Sequence, residues 1–220
     1  MSKRFDPALI PDFPNLQYEA ECWQRGELAA GLDEAGRGAL AGPLCAAAVI
    51  LPSSWNGLEK ELFGVRDSKQ LTYLEREHWA PIIRRVAQDW TIAWVQNEEI
   101  DQIGMARAGV LVFERALAGL KSQPSQLLLD YFELPRCNVH QINLIKGDQR
   151  SLSIACASVL AKQARDQHML VLSDQYPVYE FGQNKGYGTP GHLRAIEKFG
   201  LCPLHRRSFC EHLLQQKLFD

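Results

Sequence analysis

Apolar and polar positions change period several times along the chain of 220 residues, and the changes mark out alternating strands and helices. Residues 28–33 form a short apolar run closed by acids, and 44–51 form another, both of a length that suits buried strands. At 90–95, Trp90, Ile92 and Trp94 alternate in the period of a third strand. Thr72 and Glu75 make a capping box, so 73–88 reads as the helix that it opens. Asn97 is expected to cap a helical stretch that runs to 120, broken near Gly104. Fourth and fifth strands fall at 127–130 and 139–145. The long stretch 151–176 reads as a helix whose start is crowded with Ala155, Ala157, Ser158 and Ala161, side chains small enough for it to lie close against a sheet. A loop at 177–189 leads to a helix ending at Phe199 and Gly200, and a helical tail closes the chain. Ahead of the first strand, residues 1–27 read as an irregular lead-in with a short helix at 16–25.

Strands and helices in this order predict an α/β fold, a mixed sheet flanked by helices with a helical C-terminal region. The length suits one well-buried domain, here expected over 28–209, with a lead-in at 1–27 and a tail at 210–220. No apolar run approaches the ~20 residues that span a bilayer. The start, MSKRFDPALIPDF, lacks the apolar core and cleavage site of a secretory signal. The expectation is a cytoplasmic protein without a membrane partner. Cys22, Cys45, Cys137, Cys156, Cys202 and Cys210 are scattered without a CxxC pair, which favours structural thiols over zinc ligands.

A formal net charge of −2 does not advertise a nucleic-acid binder, but the charge is uneven. Residues 140–210 carry nine Lys or Arg against five acids, a local +4 in an otherwise acidic protein. Such a segment fits a phosphate-binding face or an ordinary solvated surface, and charge alone does not choose between them.

The acids say more. Asp33 and Glu34 close one apolar strand, Asp130 closes LLLD, and Asp148 follows INLIKGD just ahead of the long helix. Each has a local alternative: Asp148 as a cap near Ser151, Asp130 opening a turn, Glu34 as a surface acid. If the strand ends lie side by side, four carboxylates converge and repel one another unless protons or cations intervene. Hard oxygen donors without histidine or thiolate favour Mg2+ or Mn2+. Two such ions about 4 Å apart suit phosphodiester hydrolysis. Directly after the first pair, the glycines of Gly36-Arg37-Gly38 permit a close backbone approach, suited to a sugar hydroxyl or a phosphate. Taken alone, a GRG is as often a tight turn.

These segments together carry a resemblance. GLDEAGRG at 31–38 followed by LAGPLCAAAVIL, then Asp67-Ser68-Lys69-Gln70-Leu71, KGD at 146–148, SIACASVLAKQARD, KGYGT at 185–189 and PLHRRSF at 203–209 closely resemble the motifs of type 2 ribonuclease H, the bacterial ribonuclease HII family, in the same order. The resemblance covers about 28–209. It implies the ribonuclease H-like three-layer fold, a mixed five-stranded sheet between helices. It also implies an endonuclease that hydrolyses the RNA strand of RNA–DNA hybrids and cuts 5′ of single ribonucleotides in duplex DNA, leaving 5′-phosphate and 3′-hydroxyl ends.

By the same resemblance, Asp33, Glu34, Asp130 and Asp148 are the catalytic carboxylates and the ligands of Mg2+ or Mn2+. Gly36, Arg37 and Gly38 sense the 2′-hydroxyl, and Tyr187 packs on the sugar at an RNA-to-DNA junction. Lys69 is expected near backbone phosphates, with Lys185, Arg206 and Arg207 as further phosphate ligands from the basic segment. Asp166, four residues after Lys162, is expected in a structural ion pair. There is one departure: Tyr131 follows Asp130 where family members often have glycine, so the exit from that strand is expected to differ.

The tail Gln215-Gln216-Lys217-Leu218-Phe219-Asp220 resembles the short peptide by which bacterial replication and repair proteins dock on a sliding clamp, with Leu218 and Phe219 filling an apolar pocket. A terminal helix folded onto the domain is the alternative. A non-catalytic binding protein on the same fold would lack a carboxylate, and none is missing. The related ribonuclease HIII carries an extra N-terminal domain for which 27 residues leave no room. A monomer is expected.

Overall fold

The computed structural model describes residues 5–215. Its centre is a five-stranded sheet of β1 (Ala29–Ala35), β2 (Leu44–Ile50), β3 (Asp89–Val95), β4 (Gln126–Asp130) and β5 (His140–Leu144), in the order β3-β2-β1-β4-β5. β1, β2 and β3 pair antiparallel, whereas β4 lies parallel to β1 and β5 parallel to β4. β1 and β2 are buried almost throughout because helices cover both faces, which explains their near-continuous apolar sequence.

Alternation along the strands divides the core. Ala30, Leu32, Ala46, Ala48 and Leu129 face α5 (Met105–Ala118) through Val112, Phe113 and Ala116. Ala35, Cys45, Ala47 and Val49 face α6 (Leu152–Gln175) and, outside it, α3 (Tyr73–Val86). The small residues at the start of α6 do let it lie close. At Gly31 of β1 a Cβ would stand 2.3 Å from the backbone carbon of Ser153. The remaining helices are α1 (Gln17–Trp23), α2 (Leu58–Glu61), α4 (Asn97–Ile103), α7 (Phe181–Asn184), α8 (Pro190–Phe199) and α9 (Arg207–Gln215). α1 is tied to the head of α6 by buried Glu19, which accepts from Ser151 Oγ and Ser153 Oγ at 2.6 Å and from Ser153 N at 2.9 Å.

Most predicted elements stand within a residue or two of their expected bounds. Thr72 caps α3 in a full capping box, and Gly104, at φ 78, separates α4 from α5. The cap of α4 differs from expectation: Gln96, not Asn97, occupies it, and the Asn97 amide donates to Pro203 O at 2.8 Å. Two short helices, α2 and α7, were not expected, and α7 lies within the stretch read as a loop. Among the described residues no helix is long and apolar enough to cross a membrane. All six cysteines are free, with Cys45 and Cys156 completely buried. Of the expected docking tail at 215–220, Gln215 ends α9 and 216–220 lie outside the described residues.

Candidate active site

The three parallel strands β1, β4 and β5 end on the same edge, where open α/β sheets place their ligands. Leu32 pairs with Leu129, and one residue further along come Asp33 and Asp130. The chain leaving β5 turns through a single 3-10 turn, Gly147–Gln149, that carries Asp148, and Ser151 then caps α6 by accepting from Ile154 N at 3.3 Å. Asp130 ties the two strand exits together, since its Oδ1 accepts from Gly147 N at 2.7 Å.

Asp33 and Asp148 are buried, while Glu34 and Asp130 are half-buried. Burial pushes the Asp33 carboxyl well above its ordinary range, and repulsion from Glu34, Asp148 and Asp130 adds to it, against a hydrogen bond with Ser158. Burial lifts Asp148 to about 7, reinforced by Asp130 and Asp67. Glu34 and Asp130 are raised chiefly by burial too, opposed by Arg37 in the first case and by the Gly147 amide and Lys69 in the second. Burial and mutual repulsion thus raise all four carboxyls, and Asp148, lifted to about 7, keeps its proton close to neutrality unless a cation replaces it.

Their chemistry fits a hard divalent cation. Among the described residues, however, no three acidic, histidine or cysteine side chains close around one point tightly enough to form a finished cage. The carboxylates are a donor set, not an assembled coordination sphere.

Asp67 is a member that the sequence reading passed over. It is buried, its Oδ1 accepts from Lys69 N at 2.9 Å, and its carboxyl hydrogen-bonds Asp148. Only its place in the Asp67-Ser68-Lys69 run signalled it. Lys69, exposed, brings its Nζ to 3.9 Å from Asp148 Oδ2. Partial desolvation opposes its charge, but Asp67, Asp33, Asp148 and Asp130 together raise its pKa. Ser158 braces the region from α6, accepting from Ser68 N at 3.3 Å and donating to Ser68 Oγ at 2.9 Å.

Gly36, Arg37 and Gly38 form the turn that leaves β1. Gly36 has φ 96, and a Cβ there would stand 2.0 Å from Arg165 Nε. Gly38 is exposed, with open space where a side chain would be. The Arg37 guanidinium lies 3.5 Å from Glu34 Oε1 and over the Phe132 ring. Completely buried Arg165 then staples this turn to the loop holding Tyr187. It donates to Pro43 O at 2.9 Å, Ala41 O at 3.1 Å and Lys185 O at 2.9 Å. Tyr187, half-buried, has the Arg165 guanidinium and the Lys162 ammonium each 5.3 Å from its ring centre. His192 Nδ1 meets the Tyr187 carbonyl at 2.9 Å. Tyr187, Lys162, Lys185, Arg76 and Asp166 line a groove of about 670 Å³.

The basic candidates do not behave alike. Lys185 turns its ammonium back onto Gly182 O. Arg207 is exposed at the start of α9, its N–H held by Asp101 Oδ2 at 2.8 Å, and no described contact links it to the carboxylates. Arg206 is a correction: its side chain is completely buried and donates to Gly42 O at 2.9 Å and Arg37 O at 3.0 Å, so it is placed to brace the turn and not to meet a phosphate. Burial, reinforced by Arg165, brings its pKa down to about 9. Asp166 takes the expected ion pair with Lys162 at 2.7 Å and a second with Arg76 at 3.1 Å.

Fold and strand-end carboxylates together define a hydrolase of the ribonuclease H type. Residues 30–212 match the family model described as Ribonuclease HII, and the chain belongs to that family, whose members cleave the RNA of RNA–DNA hybrids. It is 46% identical over 196 residues to a ribonuclease HII of Myxococcus xanthus, covering 88% of this chain and 65% of that one. With a ribonuclease HII of Pelodictyon phaeoclathratiforme the identity is 45% over 204 residues, covering 91% and 98%. Among solved structures, ribonuclease H2 of Pyrococcus horikoshii superposes with TM-score 0.76 at 26% identity, over 88% of this chain and all of the other.

Proposed function

We propose that this ribonuclease H hydrolyses the RNA strand of RNA–DNA hybrids and also cuts 5′ of a single ribonucleotide embedded in duplex DNA. The observation that carries the reading is the join between Asp33-Glu34 and the Gly36–Gly38 turn. Carboxylates suited to phosphodiester hydrolysis sit one turn away from exposed backbone suited to touching a sugar, so one nucleotide meets both.

Asp33, Glu34, Asp130 and Asp148 are the residues that would hold Mg2+ or Mn2+. When bound, the cations supply charge neutralisation at the phosphate and activation of water, giving 5′-phosphate and 3′-hydroxyl products. Lys69, exposed beside Asp148, offers a cation to the substrate backbone. Tyr187, steadied between Lys162 and Arg165, presents a ring against the sugar. Gly36, Arg37 and Gly38 discriminate the 2′-hydroxyl. The assignment further has the enzyme working as a cytoplasmic monomer, with a C-terminal anchor for a sliding clamp at Gln215 to Phe219.

The test uses a DNA duplex with one ribonucleotide, with Mg2+ or Mn2+, against an all-DNA control. Cleavage on the 5′ side of the ribonucleotide is expected, with Asp130→Asn abolishing it. Cleavage confined to long RNA stretches would leave the hydrolase standing and remove ribonucleotide incision.

A further inference from the structure

Arg206 is a fully buried arginine whose two resolved donations both go to backbone carbonyls, those of Gly42 and Arg37. The second carbonyl belongs to the peptide unit that links Arg37 to Gly38. None of the chain's described peptide bonds is cis, so the carbonyl and the N–H of that unit point in opposite directions. With the carbonyl drawn inward onto Arg206, the Gly38 N–H faces outward. Gly38 is exposed, the space over its Cα is open, and its N–H donates to no protein group among the described residues. Arg165 fixes the other half of the turn through Ala41 O and Pro43 O, so the peptide has little freedom to flip. Donation to the carbonyl also polarises the unit and strengthens its N–H as a donor.

We propose that Arg206 is a positioning residue for sugar discrimination: by anchoring the Arg37–Gly38 peptide from inside, it presents the Gly38 N–H as a preorganised donor to the ribose hydroxyl. The inference rests on the function proposed above and deepens it. Arg206 touches no substrate; it sets the direction and strength of a backbone donor that does. This accounts for a guanidinium held in the interior beside a second one, Arg165, whose repulsion it must tolerate.

The experiment measures binding in the cleavage-deficient Asp130→Asn background with Mg2+ present. Two duplexes identical except for one ribonucleotide are compared, and the readout is their affinity ratio. Arg206→Met is expected to lower that ratio by about tenfold, the worth of one good hydrogen bond, while leaving affinity for the all-DNA duplex within about twofold. A merely structural role would weaken both duplexes alike. Gly38→Pro removes the same N–H at an exposed position whose φ lies outside the left-handed region. It should lower the ratio equally, and combining the two should add nothing further. Should Arg206→Met fail to melt cooperatively, Gly38→Pro carries the test alone. An unchanged ratio in either folded variant overturns the proposal. No ribonucleotide preference in the Asp130→Asn parent would instead overturn the function on which it rests.

Discussion

At the scale of single residues, the four carboxylates were legible because each stands at the end of an apolar strand or just beyond it, and a strand end is where a buried sheet meets solvent. Arg206 was not. A basic residue in a basic segment reads as a surface cation, and nothing in its neighbours Arg207 and Ser208 announces that it is swallowed by the fold. Tyr131 shows a third case. The sequence suggested that the exit from β4 would differ where glycine is usual. Tyr131 takes the left-handed conformation, φ 47, that glycine adopts freely, with its N–H on Leu144 O at 2.9 Å and its side chain exposed. The backbone demand is met at a cost of about 1–2 kcal/mol. Tyr131→Gly, which relieves that strain but adds entropy to the unfolded chain, should therefore stabilise the protein by up to about 1 kcal/mol in urea unfolding. Unchanged or lower stability would show that the tyrosine ring contributes more than its position suggests.

Among elements, the period of the pattern located nearly every helix and strand, and the small residues of α6 foretold its closeness to the sheet. The cap of α4 was misplaced by one residue because Asn97 is the better capping type, while tertiary structure claimed its amide for Pro203. Helix α7 escaped because four residues are too few to show a period. The β1–α6 contact is a close backbone-to-backbone seam, and Gly31 lies in it. A methyl group there would meet α6 backbone, which cannot rotate aside. Gly31→Ala is expected to destabilise the fold by about 3 kcal/mol or more, read from the urea midpoint, and to lower activity because Asp33 lies two residues along the same strand. Gly38→Ala, with open space at its Cβ, should leave stability within about 0.5 kcal/mol.

For the molecule as a whole, strand order was beyond reach of the pattern, since periodicity says nothing about which strand neighbours which. The order of elements suggested a mixed sheet, and the family resemblance supplied the ribonuclease H-like fold. Charge distribution was legible only in part: the basic segment was visible, but several of its cations turned out to be committed to carbonyls inside. The acidic cluster has a measurable global effect. Folded-state pKa values raised above the unfolded value of about 4 mean that the native protein binds more protons than the unfolded chain between that pH and, for Asp148, about 7. Without divalent cations, stability should therefore fall as pH rises through this window. Mg2+ or Mn2+ should reverse the trend by binding the deprotonated group. Thermal melts at pH 5 and pH 8, with and without the cation, would show it. A chelated protein more stable at pH 8 than at pH 5 would contradict the repulsive cluster.

The central position of β1 also bears on the order in which the chain is made. β1 emerges early, but its partners β2, β4 and α6 begin at residues 44, 126 and 152. On a ribosome the acidic pair Asp33 and Glu34 must wait until residues 130 and 148 are made before Asp130 and Asp148 exist to join them. Until α6 has left the exit tunnel, Gly31 has nothing to pack against, and the apolar β1–β2 hairpin stands open on one face. If the four carboxylates act together as proposed, partial chains are expected to be inactive during synthesis, and the early hairpin is the segment that chaperones would be expected to shield.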